Sequence, residues 1–137
     1  TKETFRPIAG LSVADDQKGF VANNAFSMAE ASFEEEAWYR AIYAGDTPVG
    51  FAMLFVNEEK AEYGLWRFMI DKDQQGKGYG KAALQILIDH VKTFPNATKM
   101  ELCVVPDNAG AIKLYESFGF KDTGRVEWDE NVYELEF

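Results

Sequence analysis

Three glycines in five positions, Gly76, Gly78 and Gly80, lie between a strand-like apolar end at Ile70 and a helical pattern that runs on through Ala83 and Leu84. At the mouth of a helix the first N–H groups lack intrahelical partners and the helix dipole is positive. A phosphate is the guest such a loop suits. Glycine lets the chain turn tightly there and lets the guest approach without meeting a Cβ.

Three phosphate-binding patterns compete for this loop. A P-loop needs GxxxxGK followed by Ser or Thr; here the spacing fails and no hydroxyl stands ready for magnesium. A dinucleotide fingerprint needs GxGxxG, and Gly76-Lys77-Gly78 is followed by Lys81 where the third glycine belongs. The pattern that fits is Gln75-x-x-Gly78-x-Gly80. A glycine turn without a ligand stays open as the alternative.

"QGKGYG", residues 75 to 80, resembles the acyl-CoA pyrophosphate loop of the GNAT superfamily of N-acyltransferases. A second segment, "NAGAIKLYESFGF" from Asn108 to Phe120, follows one strand later in the order that superfamily uses. With "VGFAMLF" and "RFMID", these segments are most similar to bacterial spermine/spermidine N-acetyltransferases. The resemblance implies acetyl transfer from acetyl-CoA directly to a primary amine of a polyamine, through a ternary complex. It also implies an α+β fold, with a mixed, mainly antiparallel twisted sheet, helices on both faces and a central strand-loop-helix acyl-CoA site.

Carried over position by position, the backbone of Phe68, Met69 and Ile70 is expected to pair with the pantetheine arm and give an N–H to the thioester carbonyl. Gln75, Gly76, Lys77, Gly78, Tyr79, Gly80 and Lys81 are expected around the pyrophosphate. Asn108 matches a contact to the cofactor arm, and equally an N-cap of the helix that starts at Ala109. Tyr115 falls where such enzymes place a tyrosine facing the cofactor sulfur. A phenol with a pKa near 10 could protonate a departing thiolate whose thiol reference is about 8.5. The alternative for Tyr115 is an aromatic on an apolar helix stripe.

The proton acceptor for the amine is less legible. Where some resembling enzymes carry a strand carboxylate, this chain has Trp66, which leaves Glu62 and Glu101 as candidates, each also readable as a surface strand residue. Asp15, Asp16, Glu30 and the run Glu34-Glu35-Glu36 could read a polycation, or be solvated faces. Trp38, Tyr39 and Trp66 offer cation-π walls, or core. The sole histidine, His90, has no neighbours at metal-ligand spacing, and no metal is expected. Cys103 is the only cysteine, so no intrachain disulfide can form; it reads as a structural strand thiol that catalysis does not need.

The elements that must position these residues follow from the pattern. "ADDQ" at 14 to 17 offers an N-cap before a helix through Val21, Ala25 and Met28, continuing with a break into "SFEEEAW". Residues 38 to 44 and 49 to 56 read as strands joined by a tight Gly45-Asp46 turn, and 62 to 70 as a third strand. Leu84, Leu87, Ile88 and Val91 mark a helix face. "KMELCVV" then returns parallel to the strand before that helix. A helix with Ala111, Leu114, Tyr115 and Phe118 on one stripe stops at Gly119, and two strands near 120–127 and 131–137 close the chain.

At 137 residues the chain is expected to form one domain, residues 1–137. Its net charge is −9, with −6 in residues 1–64 and −3 in the rest, and no basic stripe that would track nucleic acid. The longest apolar run, Val49 to Val56, is too short to span a bilayer, and "TKETFRPIAG" lacks a signal peptide's apolar stretch. The expected setting is cytoplasmic, without membrane or nucleic-acid partners. A homodimer is expected from the resemblance and from an open strand edge.

Overall fold

Helices come first in the chain, and they depart from the sequence reading. In a computed structural model, which describes residues 1–137, α1 spans Phe5–Gly10 with Pro7 in its first turn, where its missing N–H costs nothing. Asp15–Gln17 makes only a 3-10 turn, so the expected helix start there is incorrect. The helix α2 (Asn24–Ala31) begins later, where Asn23 accepts from the Phe26 N–H at 2.8 Å. Gly19 interrupts the helical run, and Asn23 supplies the cap that satisfies an orphan donor. Nor does α2 continue into residues 33 to 36, since the Ser32 hydroxyl closes its last turn on the Ala29 carbonyl at 2.6 Å.

The strands form as their patterning demands. β1 (Ala37–Ala44) and β2 (Thr47–Asn57) pair antiparallel across a turn in which Gly45 takes φ +59°. β3 (Glu62–Ile70) joins β2, also antiparallel. The helix α3 (Tyr79–Val91) crosses to β4 (Lys99–Val104), which lies parallel to β3. α4 (Ala109–Ser117) leads into β5 (Lys121–Glu127) and β6 (Glu130–Glu136). β6 inserts between β4 and β5, giving one six-stranded sheet of order β1-β2-β3-β4-β6-β5. Only β3 and β4 run parallel, as an α+β fold with a mainly antiparallel sheet requires.

Period-two alternation divides β2 between two cores. Ala52 and Leu54 pack with Leu84, Leu87, Ile88 and Val91 of α3 and with Tyr115 of α4. Phe51 and Met53 pack on the other face with Ile8 of α1 and Ala31 of α2. Helices therefore cover both faces. Each fully buried Leu, Ile, Val or Phe contributes roughly 1.5–3 kcal/mol relative to exposure, which holds α3 and α4 as one layer.

Two irregularities open the middle of the sheet. Met53 pairs with Arg67 and Leu54 with Leu65, so Trp66 is an extra residue in β3, a bulge that bends the strand. Beyond it β3 leaves β4: the two strands pair only at Gly64–Glu101 and Leu65–Leu102. From Trp66 to Ile70 the β4-facing edge of β3 is free.

Candidate functional site

The gap between β3 and β4 opens into a cleft of about 1120 Å³ that passes through the sheet. At one end lies the glycine loop. Gly76 and Gly78 hold φ of +77° and +85°, and a Cβ at either would meet no protein atom, standing instead in the space above the loop. Gly78 is the N-cap of α3 and supplies no side chain to cap it. The first helical bond runs from Ala82 N–H to the Gly78 carbonyl at 3.1 Å, and the N–H groups of residues 76 to 81 donate to no group of the chain. Such a row of unpaired donors at a helix N-terminus fits a pyrophosphate.

Gln75 fastens this loop. Its Nε2 donates to the Ile70 carbonyl at 3.0 Å and to Gln17 Oε1 at 2.8 Å, while Gln17 Nε2 donates back at 3.3 Å. Gln75, Gly76, Gly78, Tyr79 and Gly80 all line the cleft. Lys77 and Lys81 do not: both are exposed at its mouth, and Lys77 Nζ donates to Gln74 Oε1 at 3.0 Å.

The free edge of β3 forms one wall. Asp71 N–H donates to the Val49 carbonyl at 2.8 Å, which makes 71–49, 69–51 and 67–53 the hydrogen-bonded pairs with β2. By the same alternation the N–H groups of Phe68 and Ile70 point into the gap, and that of Met69 points to β2. Of the three expected donors, two are turned toward a guest. The Met69 side chain lies in the core beside α1 and α2, where its sulfur accepts from Asn24 Nδ2 at 3.6 Å.

Asn108 and Tyr115 line the opposite side. Asn108 Oδ1 caps α4 by accepting from the Ala111 N–H at 3.3 Å, which leaves its amide NH₂ free toward the cleft. Tyr115 is buried, packs edge-to-face on Phe120 at 5.9 Å, and its hydroxyl makes no hydrogen bond within the chain. Burial pushes its phenol well above the ordinary value, with a smaller push from the Glu130 carboxylate. Full ionisation therefore costs more than the sequence reading anticipates; a hydrogen bond donated by the neutral phenol carries no such cost.

Beyond the sheet, on the side of α1 and α2, the wall changes character. Glu30, Glu34, Trp66, Arg67 and Glu130 line it. Arg67 Nη2 donates to Glu30 Oε1 at 3.0 Å, and its Nε is buried without a partner. Asp15, Asp16, Glu35 and Glu36 lie outside the cleft, and Asp15 pairs with Lys18 at 2.8 Å. Glu62 and Glu101 line a neighbouring hollow of about 710 Å³ instead. Glu101 is held there by Arg125 at 2.7 Å and Lys99 at 3.3 Å.

Of the cation-π candidates only Trp66 reaches the cleft. Trp38 stacks with His90 at 4.6 Å under the Arg40 guanidinium, and Tyr39 lies against Phe51 at 5.9 Å. His90 is a packing residue between Trp38 and Phe94. Cys103, expected as a structural thiol, is half-buried in the cleft wall. Burial, then the carboxylates of Glu127, Glu130 and Glu101, push the thiol up, so it is not poised as a nucleophile.

Sequence reasoning misses several cleft residues, Gln17, Arg67, Trp128 and Glu130 among them. Trp128 lies in the β5–β6 turn, where it and Asp129 both take positive φ, and Glu130 opens β6. Their signal is topological: β6 must lie beside β4 before its first residue can reach the gap.

Residues 9–120 match the family described as the acetyltransferase (GNAT) family. A probable spermine N(1)-acetyltransferase of Bacillus subtilis subsp. natto is 33% identical over 138 residues, covering 94% of this chain and 89% of its own. The spermine/spermidine N(1)-acetyltransferase of Bacillus subtilis strain 168 is 32% identical over the same shares. Among solved structures, the PaiA N-acetyltransferase from Thermoplasma acidophilum in complex with coenzyme A superposes with a TM-score of 0.66 at 18% identity, covering 82% of this chain and 68% of that one. A Bacillus subtilis acetyltransferase in complex with CoA gives 0.70 at 16% identity, covering 93% and 95%.

Proposed function

Because the chain belongs to the GNAT family of acetyltransferases, and so moves acetyl from acetyl-CoA to an amine, we propose that its acceptor is a primary amine of a linear polyamine such as spermine or spermidine. One observation carries this reading: the acceptor side of the cleft presents Glu30, Glu34 and Glu130 beside the Trp66 and Trp128 rings. Carboxylates attract a polycation and ring faces accept its ammonium groups. Similarity to relatives named for spermine and spermidine supports the same choice.

The donor half follows from the geometry. Bound acetyl-CoA supplies an activated thioester. The N–H groups of residues 76 to 81 and the N-terminus of α3 hold its pyrophosphate, with Lys77 and Lys81 adding charge at the mouth, and Asn108 contacts the arm. The free N–H of Phe68 or Ile70 donates to the carbonyl oxygen, where negative charge grows in the transition state. Tyr115 donates its phenol proton toward the sulfur as the C–S bond breaks. Cys103 takes no acetyl group, and transfer is direct. A cytoplasmic setting, and pairing of two copies through the fully exposed β5 edge, complete the reading.

The test is release of CoA thiol from acetyl-CoA at mildly alkaline pH against spermine, spermidine, an aminoglycoside, single amino acids and a lysine peptide. The Gly78→Glu variant serves as the donor-loop control. Saturable, loop-dependent turnover that favours the polyamines is expected. Turnover only with another amine would replace the polyamine, and CoA binding without turnover on any amine would make the protein a non-catalytic acetyl-CoA sensor.

A further inference from the structure

We propose that Glu130 is the catalytic base that takes the proton from the acceptor nitrogen, an inference that rests on the acetyltransferase reading above. β3 itself offers no carboxylate along the gap, since its side chains from Leu65 to Ile70 are apolar except for the Arg67 cation. Three carboxylates line the cleft: Glu30, Glu34 and Glu130. Glu30 is engaged by Arg67. Glu34 is exposed at the rim, beyond the end of α2. Glu130 is half-buried, makes no ion pair or side-chain hydrogen bond, and lines both the cleft and the adjoining hollow where the two meet.

Strand register fixes the side from which it acts. Along β6, Tyr133 points to the core shared with α3 and α4, whereas Val132 pairs with Cys103 and points to the other face. Period two then puts Glu130 on the face of Val132 and Glu134, the face that Arg67 shares through its pairing with Met53. Tyr115 reaches the gap from the opposite face. The nitrogen that attacks a thioester and the sulfur that leaves it need separate proton partners on separate sides, and the sheet holds one on each.

The surroundings tune this carboxyl. Burial raises it above its ordinary value, and Arg67 from β3 pulls it partly back. Glu130 pairs across the turn with Glu127 of β5, shares the adjoining hollow with Glu101, Cys103 and Arg125, and its charge reaches Cys103 and, across the gap, Tyr115. A raised carboxylate is a better base near neutrality. The need is real: an alkylamine with a pKa of about 10.4 is neutral only about once in 2,500 molecules at pH 7.

In the step itself, the ammonium passes one proton to the Glu130 carboxylate, and the freed nitrogen bonds to the carbonyl carbon and releases its second proton to solvent as the amide forms. The C–S bond breaks, the sulfur keeps the electron pair, and it takes the phenol proton of Tyr115. Glu130 then returns its proton to solvent and Tyr115 regains one from it, so one ammonium and one thioester become one amide, one thiol and one released proton.

The experiment compares wild type with Glu130→Gln and Glu130→Asp, using spermidine and an alkoxyamine, which is mostly neutral at pH 7, over pH 5 to 9. CoA affinity and Tm are measured alongside. We expect Glu130→Gln to lose about 100-fold or more in kcat/KM with spermidine. With the alkoxyamine the loss should be under about tenfold, and Glu130→Asp should recover part of it. CoA affinity should not move. Because the folded-state carboxyl is raised, its ionised form subtracts stability as pH climbs above the unfolded value, so Tm of Glu130→Gln at neutral pH should hold or rise. An active wild type with an equally active Glu130→Gln variant, or equal losses with both amines, overturns the assignment alone. A wild type that acetylates no amine overturns the assignment and the function it rests on.

Discussion

The guanidinium of Arg67 donates to the carboxylate of Glu30 at 3.0 Å, tying the strand that walls the cleft to the helix beside it. Both side chains are partly shielded, at 19% and 29% exposure, so removing one partner costs more than breaking a surface bridge and less than stranding a fully buried charge. Glu30→Gln should cost about 1–2 kcal/mol in denaturant unfolding. The released Arg67 charge should also raise KM for a polycation while sparing KM for acetyl-CoA. A neutral monoamine acceptor separates these two effects.

Gln75 reaches both Ile70 and Gln17, so it sets the loop's height above β3 without itself carrying charge. Gln75→Ala removes neutral hydrogen bonds worth about 1 kcal/mol net. KM for acetyl-CoA should rise roughly fivefold with kcat nearly unchanged, as initial-rate kinetics at saturating acceptor would show. An equal fall in kcat would mean that the loop also positions the thioester.

Tyr115→Phe keeps the ring packed on Phe120 and removes only the hydroxyl. The expected loss is about 100-fold in kcat, with little change in acetyl-CoA affinity. A second readout follows from linkage. The folded-state phenol lies above the unfolded value of 10, so its share of stability is complete below pH 10 and is lost as pH rises further. Alkaline unfolding of Tyr115→Phe should therefore depend less steeply on pH than that of wild type.

Cys103 stands in the cleft wall with its thiol pushed up. Cys103→Ala should keep at least half of wild-type kcat, measured by thiol release. Wild-type protein should react slowly with iodoacetamide near neutral pH, and acetyl-CoA should slow it further. Complete loss of activity in a folded, CoA-binding Cys103→Ala variant would instead demand an acyl-enzyme.

The candidate donor half could be proposed from sequence because its signals are local. Residues 75 to 81 and 108 to 115 are two short runs, and what they offer is largely backbone geometry that glycine and Asn signal directly. β1, β2 and β3 were legible for a similar reason, since Gly45-Asp46 and the aromatic alternation are short-range signals. The proposed acceptor half draws on Glu30, Arg67 and Glu130, on α2, β3 and β6, and only tertiary structure brings them together. Nothing in "EYGLWRFMI" announces that Trp66 is the residue that will not pair. Asp15 and Asp16 looked like a cap and were not, because the Asn23 cap acts within its own helix and Gly19 lies between.

The sheet is also two three-stranded leaves, β1–β2–β3 and β4–β6–β5, stitched at Gly64–Glu101 and Leu65–Leu102. A ligand arm laid along the open edge of β3 would extend that seam, so filling the cleft and stiffening the fold become a single event. A ligand at a hundred times its dissociation constant adds about 2.7 kcal/mol to the folded state by mass action. Without it, the weakest line in the architecture runs through the cleft itself. The enzyme would be most pliant when empty and most rigid when loaded.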